Sequence, residues 1–326
     1  MGLKVLSLAP LPGDLVKLLI QQTQGVPDFE VVSGHELEDG DLLRAVSEAD
    51  VVLGDYTFNK KITADIVNAA GRLKMIQQPS VGYQHIDVDA CTLKGIRVAN
   101  TAGANTVSVA EHTIAWALCL LKNLFFAHTS TKLGGWEQMN VKPVELKGKI
   151  WGIVGFGRIG QALAARLRPF ELERILYYDI IRQPRNMEEE LDATFCELPD
   201  LLQLSDIVSL HAPLTETTRC MIDEHAFHAM KPTAYLINVA RAELVDEEAL
   251  ARAIMAKTIA GAGIDVFSEE PVRLYNPLLD VESDKFLLSP HTAGVSDEAA
   301  GRIINMATAN IAKVLKGEEP DSLVNP

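Results

Sequence analysis

Positive charge is in short supply in this sequence. There are 30 lysines and arginines against 44 aspartates and glutamates, a formal net charge of −14 at pH 7. A surface of that sign repels phosphate backbones, so nucleic acid is not an expected partner. Cysteine is also scarce: Cys91, Cys119, Cys196 and Cys220 are widely spaced and form no C-x-x-C pair. That excludes a zinc knuckle and a disulfide framework, and reduced thiols lead to the expectation of a cytoplasmic protein. Long hydrophobic runs are missing. The longest apolar window, VSVAEHTIAWALCLL at 107–121, carries Glu111 and His112 and is too short to cross a bilayer, so no membrane association is expected. The N-terminal stretch MGLKVLSLAPLPGD has no cleavage-site pattern and reads as a first strand. His35, His85, His112, His128, His225 and His228 form no metal-ligand grouping, and no metal is expected.

What is present is a globular composition, 48% hydrophobic and 23% charged over 326 residues. That is material for about two domains. Runs rich in valine and isoleucine alternate with helical patterns from end to end, which predicts parallel α/β architecture. Five such runs occupy 4–10, 29–34, 49–55, 74–80 and 95–100. A long helix then opens near Asn105, and six further runs follow at 150–155, 174–179, 206–213, 234–240, 259–267 and 286–291. An amphipathic helix at 296–316 closes the chain, with no low-complexity linker and no repeat. The predicted arrangement is two Rossmann-like or flavodoxin-like domains. A doubly wound parallel sheet at 102–291 is inserted into a domain made of 1–101 and 292–326, with the crossings acting as a hinge that closes to exclude water.

The run 150–155 leads into GFGRIG, that is Gly155, Gly157 and Gly160, and then into a helical pattern. In this context the first glycine permits a tight turn and the second lets backbone approach a pyrophosphate. The third lets helix and strand pack closely, with helix amides facing the anion. Asp179 ends the next run, where a carboxylate suits the ribose hydroxyls and repels a 2′-phosphate, so NAD is expected over NADP. Arg182 lies close enough in sequence to oppose that preference. Downstream, Arg241, Asp265, Glu270 and His291 all follow apolar runs, at the sheet edge where ligands sit. Their types suit reduction of a 2-oxo acid beside a bound hydride carrier. Arg241 offers a fork for a carboxylate, His291 a proton, and Glu270 a partner that raises the histidine and fixes its ring.

In their order along the chain, LKMIQQPSVGYQHIDVDAC, GIRVANTAGANTVSVAEH, LKGKIWGIVGFGRIG, DIVSLHAPLTETT, LINVARAELVDEEAL, GAGIDVFSEEP and SPHTAG resemble the D-2-hydroxyacid dehydrogenases over nearly the whole sequence. The resemblance implies a catalytic trio of Arg241, Glu270 and His291. It places Ser80, Val81 and Gly82 at the substrate carboxylate, with Asn105 and Thr106 beside nicotinamide and substrate. It assigns to the cofactor Arg158 and Ile159 of the glycine turn, His211, Pro213 and Thr218 on the adenine side, and Val239, Ala240, Asp265 and Gly294 toward the nicotinamide. It also implies a homodimer, for which the apolar helix at 107–121 is the expected face, and a small 2-oxo or 2-hydroxy acid as substrate. Two positions depart from the family pattern: Ala242 follows the arginine in place of glycine, and Gln84 replaces an aspartate. Formate-oxidising relatives carry glutamine where Glu270 stands, which argues here for a 2-oxo acid. Glyoxylate, hydroxypyruvate, pyruvate and 3-phosphoglycerate-type substrates all remain open. The loop QQPSVGYQH offers only His85 to a phosphate, which favours an unphosphorylated acid. The competing expectation is a non-catalytic NAD-sensing scaffold, as in corepressors of this fold. An intact trio argues against it.

Overall fold

The apolar runs of the first hundred residues become five short parallel strands: β1 (Leu3–Ser7), β2 (Phe29–Ser33), β3 (Val51–Leu53), β4 (Met75–Gln77) and β5 (Arg97–Ala99). They pair in the order β2-β1-β3-β4-β5 in a computed structural model that describes residues 2–325. Met1 and Pro326, the outermost residues of the expected first domain, lie outside the described residues. Because successive side chains of a strand point to opposite faces, the runs feed two cores. Val5, Val51, Leu53, Met75 and Ala99 meet the helices Gly13–Gln21 and Asp297–Leu315 through Val16, Ile20, Ala307, Ile311 and Leu315. Leu6, Val52, Ile76 and Val98 face the other way, against Leu42, Val46, Val67 and Cys91 of three short helices. The chain's last described residues then return to the edge of β5. There Val324 N donates to Val98 O (2.8 Å), and Asn325 Oδ1 accepts from Val98 N (2.6 Å).

The second sheet has seven parallel strands, one more than expected: β6 (Ile150–Val154), β7 (Arg174–Tyr178), β8 (Ala193–Phe195), β9 (Ile207–Leu210), β10 (Tyr235–Asn238), β11 (Gly261–Ile264) and β12 (Phe286–Leu288). The unforeseen strand is β8. It has three residues, too few for an alternating pattern to show, and it occupies an edge beside β7. The order β12-β11-β10-β9-β6-β7-β8 runs outward in both directions from β6, so the switch point of the sheet lies between β6 and β9.

By contact the chain divides into two units, one of Met1–Asn105 with Asp297–Pro326 and the other of Thr106–Ser296. The divisions fall a few residues beyond the expected 101 and 291, at the first residues of the helices Thr106–Lys122 and Asp297–Leu315. The first of these, the expected dimer face, turns part of its apolar surface to its own unit, while Val107 stays exposed. Val109, Trp116, Ala117 and Leu120 pack against Trp151, Ile153, Leu163 and Ile237. Among the described residues, no single helix is long and apolar enough to cross a membrane.

Candidate active site

Each glycine of GFGRIG has a separate physical reason. Gly155 has φ +91°, and a Cβ there would meet the carbonyl carbon of His211 at 2.6 Å. Gly160 opens the second residue pair of the helix Arg158–Leu167, and a Cβ would collide with the carbonyl oxygen of Gly155. Gly157 faces open space, and a Cβ there would have nothing within 4 Å. The turn is thus closed at both ends and open in the middle, a backbone cradle with room for an anion. Asp179, just past β7, accepts Phe156 N through Oδ2 (2.7 Å) and Ile181 N through Oδ1 (3.3 Å). Its carboxylate therefore ties the glycine turn to the next strand, a task its position in sequence did not reveal. Arg158 and Ile159 are the first two residues of that helix, with Arg158 exposed.

His211 follows β9 at the switch point, and its amide donates to Val154 O (2.7 Å). Trp151 Nε1 donates to the buried hydroxyl of Ser209 (2.9 Å), which lies 3.1 Å from His211 Nε2. The hydroxyl proton of Ser209 then has Nε2 as its acceptor, so the ring proton sits on Nδ1. Nδ1 is enclosed and finds no partner among the described residues. Burial pushes this imidazole down to about 3, so it stays neutral. A neutral, enclosed N–H, on the residue whose backbone closes against Gly155, is a donor without a partner among the described residues. Together with the cradle, it fits a dinucleotide. Pro213 and Thr218 belong to an adjoining turn, where Thr218 Oγ1 donates to Pro213 O (2.7 Å).

The ends of β10, β11 and β12 assemble the second cluster. His291 Nδ1 lies 2.7 Å from Glu270 Oε2, while Glu270 Oε1 accepts Phe267 N at 3.0 Å. The hydrogen bond to Glu270 raises the His291 imidazole above its usual range, against burial, which lowers it. Burial alone would push Glu270 up, yet the bonds from His291 and Phe267, with the charges of His291 and Arg241, hold it below the usual carboxylate range. Arg241 is therefore near enough to act on both. With Nδ1 committed to Glu270, Nε2 is the nitrogen able to exchange a proton with a bound acid. The side chains of His291 and Glu270 are 46% and 39% exposed, open enough to be reached by a small molecule.

Behind this pair stands Asp265, fully buried. Its carboxylate accepts the amides of Thr292 and Ala293 (both 2.8 Å) and the hydroxyl of Ser289, and its carbonyl accepts His291 N (2.8 Å). Asp265 thus anchors the loop that presents His291. Asn238 does the same for the arginine, accepting Ala240 N (3.1 Å) and donating to Arg241 O (2.9 Å), with Val239 buried between. Ser108, two residues into the helix that Thr106 opens, donates to Ala293 O (2.8 Å), beside Gly294. His112, pushed down by burial, sits edge-on to Trp116 with Nε2 3.4 Å from Ser289 Oγ. Asn238, Ser289, Ser209 and Ser108 were not singled out in the sequence. The signal was there in part, as polar residues closing the apolar runs LIN and FLLS and interrupting VSL.

The remaining predicted positions lie in the other unit, where Asn105 is the last residue before the first crossing. In the loop after β4 all three carbonyls are engaged: Ser80 O by Thr101 N (3.1 Å), Val81 O by Asn100 Nδ2 (2.9 Å) and Gly82 O by Ser80 Oγ (2.8 Å). Among the described residues none of the amides of Ser80, Val81 and Gly82 has an acceptor. A loop with carbonyls tied back and amides unused suits an anion.

Residues 114–293 match the family described as D-isomer specific 2-hydroxyacid dehydrogenase, NAD binding domain. A glyoxylate reductase of Thermofilum pendens is 42% identical over 289 residues, covering 87% of this chain and 84% of that protein. A D-3-phosphoglycerate dehydrogenase of Methanocaldococcus jannaschii is 36% identical over 99% of this chain and 59% of its own length. The crystal structure of a D-lactate dehydrogenase from Aquifex aeolicus, complexed with NAD and lactic acid, superposes with a TM-score of 0.83 at 27% identity. It covers 97% of this chain and 96% of that one.

Proposed function

This chain belongs to the D-isomer specific 2-hydroxyacid dehydrogenase family and is an oxidoreductase acting on 2-hydroxy acids with a nicotinamide cofactor, and we propose that its substrate is a small unphosphorylated 2-oxo acid, glyoxylate or hydroxypyruvate before pyruvate. The observation that carries this reading is the Glu270–His291 pair at 2.7 Å beside Arg241.

In the proposed mechanism Arg241 takes the substrate carboxylate through its rigid fork. To the same substrate the resemblance assigns Ser80, Val81 and Gly82, whose amides have no acceptor among the described residues, and Asn105. A bound nicotinamide would supply the hydride chemistry at C2. His291 gives its Nε2 proton to the oxygen at C2 in reduction and takes it back in oxidation. Glu270 stabilises the protonated ring and fixes its plane, and Asp265 holds the loop that carries it. The glycine turn, Arg158 and Ile159 hold the pyrophosphate, His211, Pro213 and Thr218 the adenosine side, and Thr106, Val239, Ala240 and Gly294 the nicotinamide end. Asp179 selects NAD over NADP by offering a carboxylate where a 2′-phosphate would lie. A cytoplasmic homodimer is the working state that the resemblance implies.

The test is NADH oxidation with glyoxylate, hydroxypyruvate, pyruvate and 3-phosphohydroxypyruvate. The expected order puts the two small unphosphorylated acids first and the phosphorylated one last. Tight NADH binding with no turnover on any of them would sink the enzymatic reading and favour the sensing scaffold. His291→Ala is expected to lower kcat by about 100-fold or more with NADH affinity retained.

A further inference from the structure

Arg182 is the first cation after Asp179 in the chain, and the two residues between them, Ile180 and Ile181, are 83% and 69% exposed. Neither isoleucine brings charge or a side-chain hydrogen bond to the adenosine side. If any nearby group were to welcome a 2′-phosphate there, Arg182 is the candidate, since Arg158 opens the helix behind the glycine turn and Arg185 is paired with Glu189 (2.8 Å). Arg182 is instead turned to another task. Its Nε and Nη2 donate to Oε1 and Oε2 of Glu188 (2.9 and 3.0 Å), a fork on a fork, and its guanidinium carbon lies 5.7 Å from the Phe195 ring centre on β8.

Glu188 is well placed to keep that hold. Its side chain is only 10% exposed, and its Oε1 also accepts the hydroxyl of Tyr177 (2.7 Å), which in turn accepts Gln183 N (2.9 Å). Tyr177 is fully buried in β7 and stacks on Phe156 of the glycine turn, ring centres 4.1 Å apart. The clamp is thus built onto the same turn that cradles the cofactor. The hydrogen bonds from Arg182 and Tyr177 keep the Glu188 carboxyl below its usual range, so the clamp stays charged at neutral pH.

We propose that Glu188 determines cofactor choice by holding Arg182 off the adenosine ribose, leaving Asp179 unopposed. This deepens the cofactor preference proposed above and rests on the reading of Asp179 as the ribose carboxylate. The released arginine would meet a 2′-phosphate as a charge-assisted, bidentate donor, while a plain ribose would gain nothing from it.

Calorimetric titration of the full chain with ADP-ribose and 2′-phospho-ADP-ribose reads this without turnover. The native protein is expected to bind ADP-ribose more tightly. Glu188→Gln, which keeps the shape and can still bond Tyr177, is expected to tighten 2′-phospho-ADP-ribose by at least about tenfold with ADP-ribose unchanged. The gain should vanish in Glu188→Gln with Arg182→Ala, which separates release of the cation from general loosening. Arg182→Ala alone should leave both affinities unaltered. That last result needs no change at Glu188, so it tests the clamp even if the Gln variant folds poorly. An unchanged ratio in Glu188→Gln, a gain that survives loss of Arg182, or weaker 2′-phospho-ADP-ribose binding in Arg182→Ala would each overturn the clamp while leaving Asp179 its role. A native preference for the phosphorylated ligand would overturn both readings.

Discussion

At His291 the backbone is in the left-handed region, φ +54°, which a residue with a Cβ enters at a cost. Two hydrogen bonds from its amide, to Asp265 O and Ser289 O, hold it there. The ring is thereby delivered to Glu270, and the balance of its charges becomes a testable matter. The bond to Glu270 and the Glu270 and Asp265 charges raise the imidazole, while burial and Arg241 lower it. Glu270→Gln removes the strongest raising influence and leaves both lowering ones. Reduction needs the protonated ring, which is complete below the folded pKa and is lost as pH rises through it. The alkaline limb of the reduction profile is therefore expected to move to lower pH, as measured by kcat/KM against pH. Oxidation, which needs the neutral ring, should extend to lower pH in the same variant. An unmoved limb would show that Glu270 does not set the histidine. His211 is the opposite case: buried, neutral and fixed by Ser209 as the Nδ1–H form. Nitrogen-15 NMR should find that tautomer unchanged from pH 5 to 8, and Ser209→Ala should mix in the Nε2–H form. The exchangeable histidine could be guessed from HTAG at the end of an apolar run, but the tautomer of the other could not. It depends on a tryptophan 60 residues away in sequence.

At the scale of elements, the glycine turn was the most legible feature of the sequence because the backbone needs glycine there for different reasons at each position. The structure separates those reasons, and two substitutions should too. Gly160→Ala drives a methyl into the Gly155 carbonyl oxygen, so helix and strand must part. Gly157→Ala meets nothing and sits at φ −78°, which alanine adopts freely. In thermal unfolding without cofactor, Gly160→Ala is expected to cost about 1 to 3 kcal/mol and Gly157→Ala less than about 0.5 kcal/mol. Calorimetric titration should then show weakened NADH binding in both, in Gly157→Ala with the fold intact. Equal stability of the two variants would refute the division of labour. β8 was illegible for a matching reason: its three residues lie between acidic stretches, and its place is set by pairing with β7. The Arg182 clamp was half legible. The arginine stood out beside Asp179, whereas Glu188 looked like one acid among the three of MEEEL until Tyr177 and Phe195 gave it a direction.

For the molecule as a whole, the sequence showed that the glycine turn comes late and that a helix follows the last strand, which was enough to expect one domain inserted in another. It did not show what the returning segment does once it arrives. The helix Asp297–Leu315 contributes Ala307, Ile311, Ala312, Val314 and Leu315 to one face of the first sheet. Asn310 lies among them, buried, donating to Gln77 Oε1 (2.9 Å) and Asp321 O (3.0 Å) while accepting Asp321 N (2.9 Å). An asparagine on an apolar helix face reads as an error in a sequence, and its partners, more than two hundred residues away in one case, explain it. The first unit's core is thus completed by residues that follow the whole second unit in the chain, whereas the second unit is continuous in sequence. Ile311→Ala leaves a cavity in the core that its helix shares with Val51 of β3 and Met75 of β4, and is expected to cost about 2 to 5 kcal/mol. The loss should be confined to the unit that holds the cavity. Hydrogen exchange is expected to show faster amides in β1, β3 and β4, with β6, β9 and β10 protected as before, and calorimetry an unchanged affinity for ADP-ribose. Equal loss of protection in both sheets would show instead that the two units unfold as one.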